Sequence, residues 1–421
     1  MQIFAGRSLA GPVLATETLA EAQGFWFGTL AGGVSAGDFS ARISTRFVAP
    51  QTGIWQLGLR AAGWVRARVN GMQVAEAWES WTKGTTFFEE GCDEVLAAVP
   101  MVAGQSYAIE IEFAAKPGEI LTFAALAVGL GLPSGQAEID AAVAVARAAE
   151  TALLFVGRDA SWDTEGADLP GITLPGHQNA LIAAVAAANP RTVVVLQTGG
   201  PVEMPWLDDV AAVVQAWYPG QEAGNAIADV LLGLADPGGR LPQTFPARWQ
   251  DGATWSQDPE VYPGLDGRVR YEEGVFIGYR HHDKTGTPPL FPFGHGLSYT
   301  DFALSDLVVT AIGQGAEVTV QVTNAGARAG STVVQLYLTP APAAVLRPTR
   351  ELKGFAKLTL APGQSGMAKM TLTPRDFAWF SVDAGAWRVE PGAYGVEVGL
   401  SATDLRLQGE VVQEQGFGIT K

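Results

Sequence analysis

Along the first third of the chain, hydrophobic and polar positions alternate with a period of two. Residues 39–48, 53–59 and 107–113 each put every second side chain on one face, and Gly, Pro or Asn bounds the runs. That is the pattern of half-buried antiparallel strands. Asn70-Gly71, set between Val65-Arg66-Ala67-Arg68-Val69 and Met72-Gln73-Val74, predicts a tight hairpin turn. Residues 1–132 are therefore expected to form an all-β domain, either a sandwich or a barrel.

The period changes after that point. Residues 138–150, 175–188 and 222–234 read as helices, while 152–157, 192–196 and 210–217 read as continuous apolar strands. Strands of this kind alternating with helices predict a parallel sheet covered on both faces. Any site should then lie in the loops at the carboxyl ends of the strands. Three or four strands are few for such a sheet, so residues 133–300 are expected to hold a partial α/β sandwich domain. An incomplete sheet exposes an edge that favours pairing with another chain, which predicts self-association. From residue 301 the alternation returns, at 318–322, 333–338, 367–372 and 394–398. About seven short strands in roughly 110 residues predict an immunoglobulin-like or fibronectin-like sandwich over 301–421. The fold class is multidomain, β plus α/β.

Composition narrows the partners. The chain has 421 residues, 48% hydrophobic and 17% charged, which fits two to four packed domains and argues against disorder. A net charge of −16 with no cluster of Lys and Arg makes nucleic acid and anionic membrane surfaces poor partners; a neutral ligand such as a sugar is compatible. Cys92, the single cysteine, cannot form an intramolecular disulfide and is expected as a small core or turn residue. The N-terminus lacks a secretory h-region, and no apolar run reaches the roughly 18 residues of a membrane span. Taken as it stands, the sequence predicts a soluble, cytoplasmic protein.

One segment is rich in chemistry. After the strand 152–157 come Arg158-Asp159-Ala160-Ser161-Trp162-Asp163-Thr164-Glu165-Gly166-Ala167-Asp168, which bring four carboxylates and a tryptophan to the carboxyl end of a parallel strand. Glycoside hydrolysis uses paired carboxyl groups, and an aromatic face complements the C–H face of a pyranose. A solvated acidic loop has the same composition, so residue types alone leave both readings open. His281-His282 has no ligand cluster around it and predicts no metal. His295 reads as a turn or domain-junction residue. There is no phosphate-binding glycine loop, no Gly-x-Ser-x-Gly elbow and no base spaced to activate Ser161. No cofactor is expected.

In order along the chain stand Trp162-Asp163-Thr164-Glu165-Gly166-Ala167-Asp168, Leu174-Pro175-Gly176-His177-Gln178, Pro201-Val202-Glu203-Met204-Pro205-Trp206, Gln215 to Gly224, Gly239 to Pro246, Tyr271 to Arg280 and Phe291 to Thr300. Together they resemble the second half of the α/β sandwich domain of family 3 glycoside hydrolases of the β-glucosidase type. Residues 301–410, with Arg350-Glu351-Leu352-Lys353-Gly354-Phe355 and Glu390-Pro391-Gly392, are similar to that family's fibronectin type III-like domain. Residues 1–132 resemble the PA14 β-domain that some members carry as an insertion. The paired aspartates of calcium-binding PA14 domains are replaced by Ala61-Ala62-Gly63-Trp64, so no calcium is expected.

The resemblance implies a retaining mechanism on β-glucosides or oligosaccharides. Its nucleophile is an aspartate on a (β/α)8 barrel not found in this sequence, and its acid/base is a glutamate that maps onto Glu165. Trp162 and Asp163 are candidate substrate contacts; Asp163 and Asp168 are runner-up carboxylates, and Asp168 is followed here by Leu169 where the family usually has Arg. In PA14-bearing members an aromatic loop caps the outer sugar subsite. Trp81-Thr82-Lys83-Gly84-Thr85-Thr86-Phe87-Phe88 is the matching loop, with Phe87 or Phe88 as the contact or as ordinary sandwich core. Two functions follow. One is a glycosidase piece, truncated or completed by a separate barrel chain or by homo-oligomerisation. The other is a non-catalytic carbohydrate-binding or adhesive protein.

Overall fold

The computed structural model describes residues 1–84, 86–118, 122–165, 168–343 and 345–419. Thr85 of the aromatic loop and Gly166 and Ala167 of the acidic loop lie outside the described residues. The chain forms two compact units. One comprises Met1–Glu150, Arg158–Leu169 and Ala187–Asn189; the other comprises Thr151–Gly157, Pro170–Ala186 and Pro190–Lys421.

The first unit is built on a β-sandwich. One antiparallel sheet runs in the order Ala15–Thr16, Gln2–Ala5, Phe39–Val48, Ser106–Ala114, Trp64–Val69, Met72–Ala77. The other runs Gln23–Phe27, Phe123–Gly131, Gly53–Ala62, Val95–Met101. Alternate residues of each strand meet between the sheets, with Phe39, Ile111 and Phe113 from the first sheet against Trp55, Leu57, Leu59 and Leu126 from the second. Two facing sheets with one shared core make this a sandwich, resolving the choice left open by the alternation alone. The Asn70-Gly71 turn is present, and both residues take positive φ (49° and 83°) as a type I′ hairpin requires. Cys92 is buried in the same core. The helix Gln136–Ala148 begins where the Glu138 carboxylate accepts a 2.8 Å hydrogen bond from the Gly135 amide.

In the second unit the apolar strands Ala152–Gly157, Thr192–Gln197 and Ala212–Gln215 lie side by side in that order, parallel. Val156, Val194 and Leu196 pack with Ile182 of the helix Gln178–Ala188 and with Trp206 and Phe245. That helix starts three residues later than the apolar pattern suggested, because Gly176 takes φ 58° and turns the chain first. The helix Ala223–Leu231 stops early for a similar reason: Gly233 has φ 70° and the Leu234 amide donates back to the Asp229 carbonyl, a glycine C-cap.

A second sandwich follows in the same unit. Strands Phe302–Ile312, Gly315–Asn324 and Ser365–Leu372 face Glu351–Leu360, Gly330–Thr339, Gly392–Gly399 and Leu405–Gln413 across a core that includes Val320, Val322, Leu336 and Val396. A small sheet of Trp379–Ser381, Ala386–Val389 and Phe417–Ile419 is added at its end. Polar groups tie this sandwich to the α/β segment. The Asp236 carboxylate accepts from Ser298 Oγ (2.6 Å), the Tyr299 amide (3.0 Å) and the Ser331 amide (2.8 Å), and Arg350 forks onto Asp283 at 3.0 and 2.6 Å. Among the described residues no helix is long and apolar enough to cross a membrane.

Candidate active site

The acidic loop leaves a strand whose end is pinned. The Gln178 side chain accepts from the Gly157 amide at 2.7 Å and donates to the Gly157 carbonyl at 2.9 Å. A Cβ at Gly157 would meet the Gln197 carbonyl oxygen at 2.1 Å, so only glycine fits there. Beyond it the chain curls tightly: the amides of Trp162 and Asp163 both donate to the Asp159 carbonyl, at 3.0 and 3.1 Å. The Asp159 carboxylate accepts from the amide and the hydroxyl of Ser161, at 2.9 and 2.5 Å. The Ser161 hydroxyl is thus committed to the turn. Arg158, with its side chain fully enclosed, puts Nη1 3.6 Å from Oδ1 of Asp163. Trp162 is half-buried, and Glu165 and Asp168 are exposed.

The aromatic loop is held against the strand Gly53–Ala62. The Cys92 amide donates to the Ala61 carbonyl at 2.8 Å, and the Asp93 amide donates to the Thr82 carbonyl at 2.9 Å. Between them Phe87, Phe88 and Glu89 all take left-handed backbone, with φ 54°, 58° and 60°. Phe87 packs on Ala62, Phe123 and Ala125, which are on the outer face of the four-stranded sheet, away from the sandwich core. Phe25 and Phe27 emerge on the same face, since Phe25 pairs with Ala125 and Phe27 with Phe123. The rings form one cluster: Phe25 stacks on Phe123 at 5.0 Å, lies 4.9 Å from Phe27, and has Phe87 and Phe88 at 6.0 and 6.1 Å. Phe27 is 59% exposed, Phe25 43% and Phe88 37%. Phe87 and Phe88 therefore belong to a surface cluster outside the main core.

Arg60 acts electrostatically on the acidic loop. It stands two residues from Ala62 on the same strand face, roughly 6.8 Å along, with Nη2 3.1 Å from Glu94. Its charge also helps hold the Asp159 carboxyl below the usual carboxylate range, after the larger contribution of the Ser161 hydroxyl. The outer sheet face thus carries the phenylalanines and Arg60, whose charge is felt by Asp159 of the acidic loop. The family resemblance pointed to Glu165, Trp162 and Asp163; the sequence did not single out Phe25, Phe27, Phe123, Arg60 or Gln178. The alternation Phe25-Trp26-Phe27 does signal two rings on one side; it does not say which side is the core.

The other candidates are engaged within the second unit. His282 Nδ1 lies 2.8 Å from the Thr287 carbonyl oxygen. His295 stacks on Phe291 and loses basicity through burial and then the nearby Arg240 charge. Among the described residues no three His, Cys, Asp or Glu side chains converge so as to hold a metal ion.

Residues 25–299 match the Glycosyl hydrolase family 3 C-terminal domain, and residues 332–402 match the Fibronectin type III-like domain. A beta-glucosidase of Rhizobium radiobacter is 47% identical over an alignment of 411 residues that covers 96% of this chain and 50% of that protein. Beta-glucosidase B of Emericella nidulans is 39% identical over 88% of this chain and 46% of its own length. Among solved structures, a beta-glucosidase from Kluyveromyces marxianus in complex with glucose superposes with a TM-score of 0.90 at 31% identity, covering 99% of this chain and 50% of that one. The chain spans about half the length of the curated relatives it matches. With a family domain matched over residues 25–299 and relatives this similar, the chain belongs to glycosyl hydrolase family 3.

Proposed function

We propose that this chain is the acid/base-bearing part of a retaining β-glucosidase, with Glu165 as the acid/base. In the first step Glu165 gives its proton to the departing glycosidic oxygen while a carboxylate nucleophile attacks the anomeric carbon and forms a glycosyl-enzyme. In the second, the Glu165 carboxylate takes a proton from the water that releases the sugar. The nucleophile comes from the half that the relatives carry outside the matched region, a (β/α)8 barrel on the same polypeptide or on a partner. The substrate class is β-glucosides, in keeping with the glucose bound to the Kluyveromyces marxianus relative.

The observation that carries this reading is an exposed Glu165 on a loop otherwise fixed by internal hydrogen bonds, in the same unit as an exposed aromatic face. A solvated loop has no need of a buried arginine within it. Trp162 and the Phe87–Phe88 pair are the proposed sugar contacts, and the N-terminal sandwich is read as a PA14 domain that walls the leaving-group side. Asp163, a candidate contact and runner-up carboxylate, has its ion pair to Arg158 in favour of a supporting role.

The test is direct. With the complementary half present, Glu165→Gln should lower kcat on cellobiose by about 10²-fold or more, whereas this chain alone should release little from an aryl β-glucoside. Strong turnover by the chain alone, or full activity of Glu165→Gln in the assembly, would reject the assignment.

A further inference from the structure

We propose that Arg158 is a positioning residue for Glu165, acting through Asp163; this rests on the acid/base reading above. The Arg158 side chain is 0% exposed, and its ion-pair partner Asp163, 15% exposed, precedes Glu165 by two residues. An enclosed guanidinium is costly unless a carboxylate answers it. The pair therefore closes the turn from inside, while the Asp159 carbonyl closes it along the backbone by accepting from Trp162 and Asp163. Residues 158–165 contain no helix or strand, so nothing regular holds Glu165 in place. A proton donor must stay within hydrogen-bond reach of the glycosidic oxygen, and small displacements are costly in rate.

The role has a chemical signature. A misplaced acid harms substrates whose leaving group needs a proton far more than those whose leaving group departs as a stable anion. In the assembled enzyme, Asp163→Asn and Arg158→Met should lower kcat/KM for cellobiose by about tenfold or more while changing that for 2,4-dinitrophenyl β-glucoside by less than about threefold. Arg158→Lys should recover part of the loss. Equal losses on both substrates, or no loss on either, overturn the proposal. Should Arg158→Met fail to fold, Asp163→Asn with an unchanged melting curve decides alone. Glu165→Gln is the reference: if it does not itself separate the two substrates, the acid/base reading fails, and that outcome is distinct from failure of the brace.

Discussion

Glu112 and Arg66 lie directly opposite one another on adjacent antiparallel strands, with Oε2 2.6 Å from Nε. Arg42, opposite Glu112 on its other side, donates at 3.0 Å and Arg68 at 2.8 Å. The Glu112 side chain is only 6% exposed. Burial alone would raise its pKa, but hydrogen bonds from the three arginines outweigh that and bring it from 4.5 to about 2. The unfolded chain therefore binds this proton first as pH falls. The stabilisation is complete above about pH 4.5 and is lost as pH drops toward 2. Glu112→Gln should cost about 3 kcal/mol near neutrality and flatten the decline in melting temperature between those limits. An unaltered acid limb would show that the ladder contributes little.

Three successive non-glycine residues in left-handed backbone are expensive, at roughly 1–2 kcal/mol each. At the end of that run is Glu89, exposed and with φ 60°. Glu89→Asn, suited to this conformation, should stabilise the chain by up to about 1 kcal/mol, read as a higher urea midpoint with unchanged slope. A lower midpoint would mean that the Glu89 side chain has a role the turn depends on.

Much of the fold was legible because its strands are two-sided. Phe39–Val48 and Ala152–Gly157 begin and end where the pattern put them, since one face of each meets a core; Leu153 and Phe155 are exposed, so the strand Ala152–Gly157 lacks the cover on both faces that its apolar run predicted. Helix ends were less legible: Gly176 and Gly233 shorten two helices through backbone angles that periodicity does not weigh. The small sheet beginning at Trp379 lay in short segments below the reach of alternation. At the candidate site, the acidic run was visible in the sequence and the resemblance singled out Glu165, but the contacts around the loop could not be read. Arg60 acts on the Asp159 charge from about 100 positions away in sequence, and the phenylalanine cluster forms only once register puts Phe25, Ala125 and Ala62 in one row.

Asp236 is the hub of the contact between the α/β segment and the second sandwich. Its carboxylate takes three hydrogen bonds, and these keep its pKa below the usual range although burial pulls the other way. Asp236→Ala leaves the Ser331 and Tyr299 amides without their acceptor and should destabilise by about 2–3 kcal/mol. Asp236→Asn, which keeps one acceptor oxygen, should cost less. Differential scanning calorimetry checks the order; equal effects would mean that only side-chain volume matters there.

The outer aromatic face separates binding from structure. Phe123 is 3% exposed and stacked beneath Phe25, so Phe123→Ala should cost about 3–4 kcal/mol of stability. Phe27 keeps 59% of its surface open, and its removal should cost less than about 1 kcal/mol. If this face receives the leaving group, Phe27→Ala and Phe88→Ala in the assembled enzyme should raise KM for cellobiose. Loss of about 1 kcal/mol of contact corresponds to roughly fivefold. Since such contacts are made equally before and at the transition state, kcat should hold. A fall in kcat at constant KM would place these rings against the reacting atoms instead. Unchanged kinetics in both variants would remove the face from the substrate path and leave Trp162 as the proposed aromatic contact.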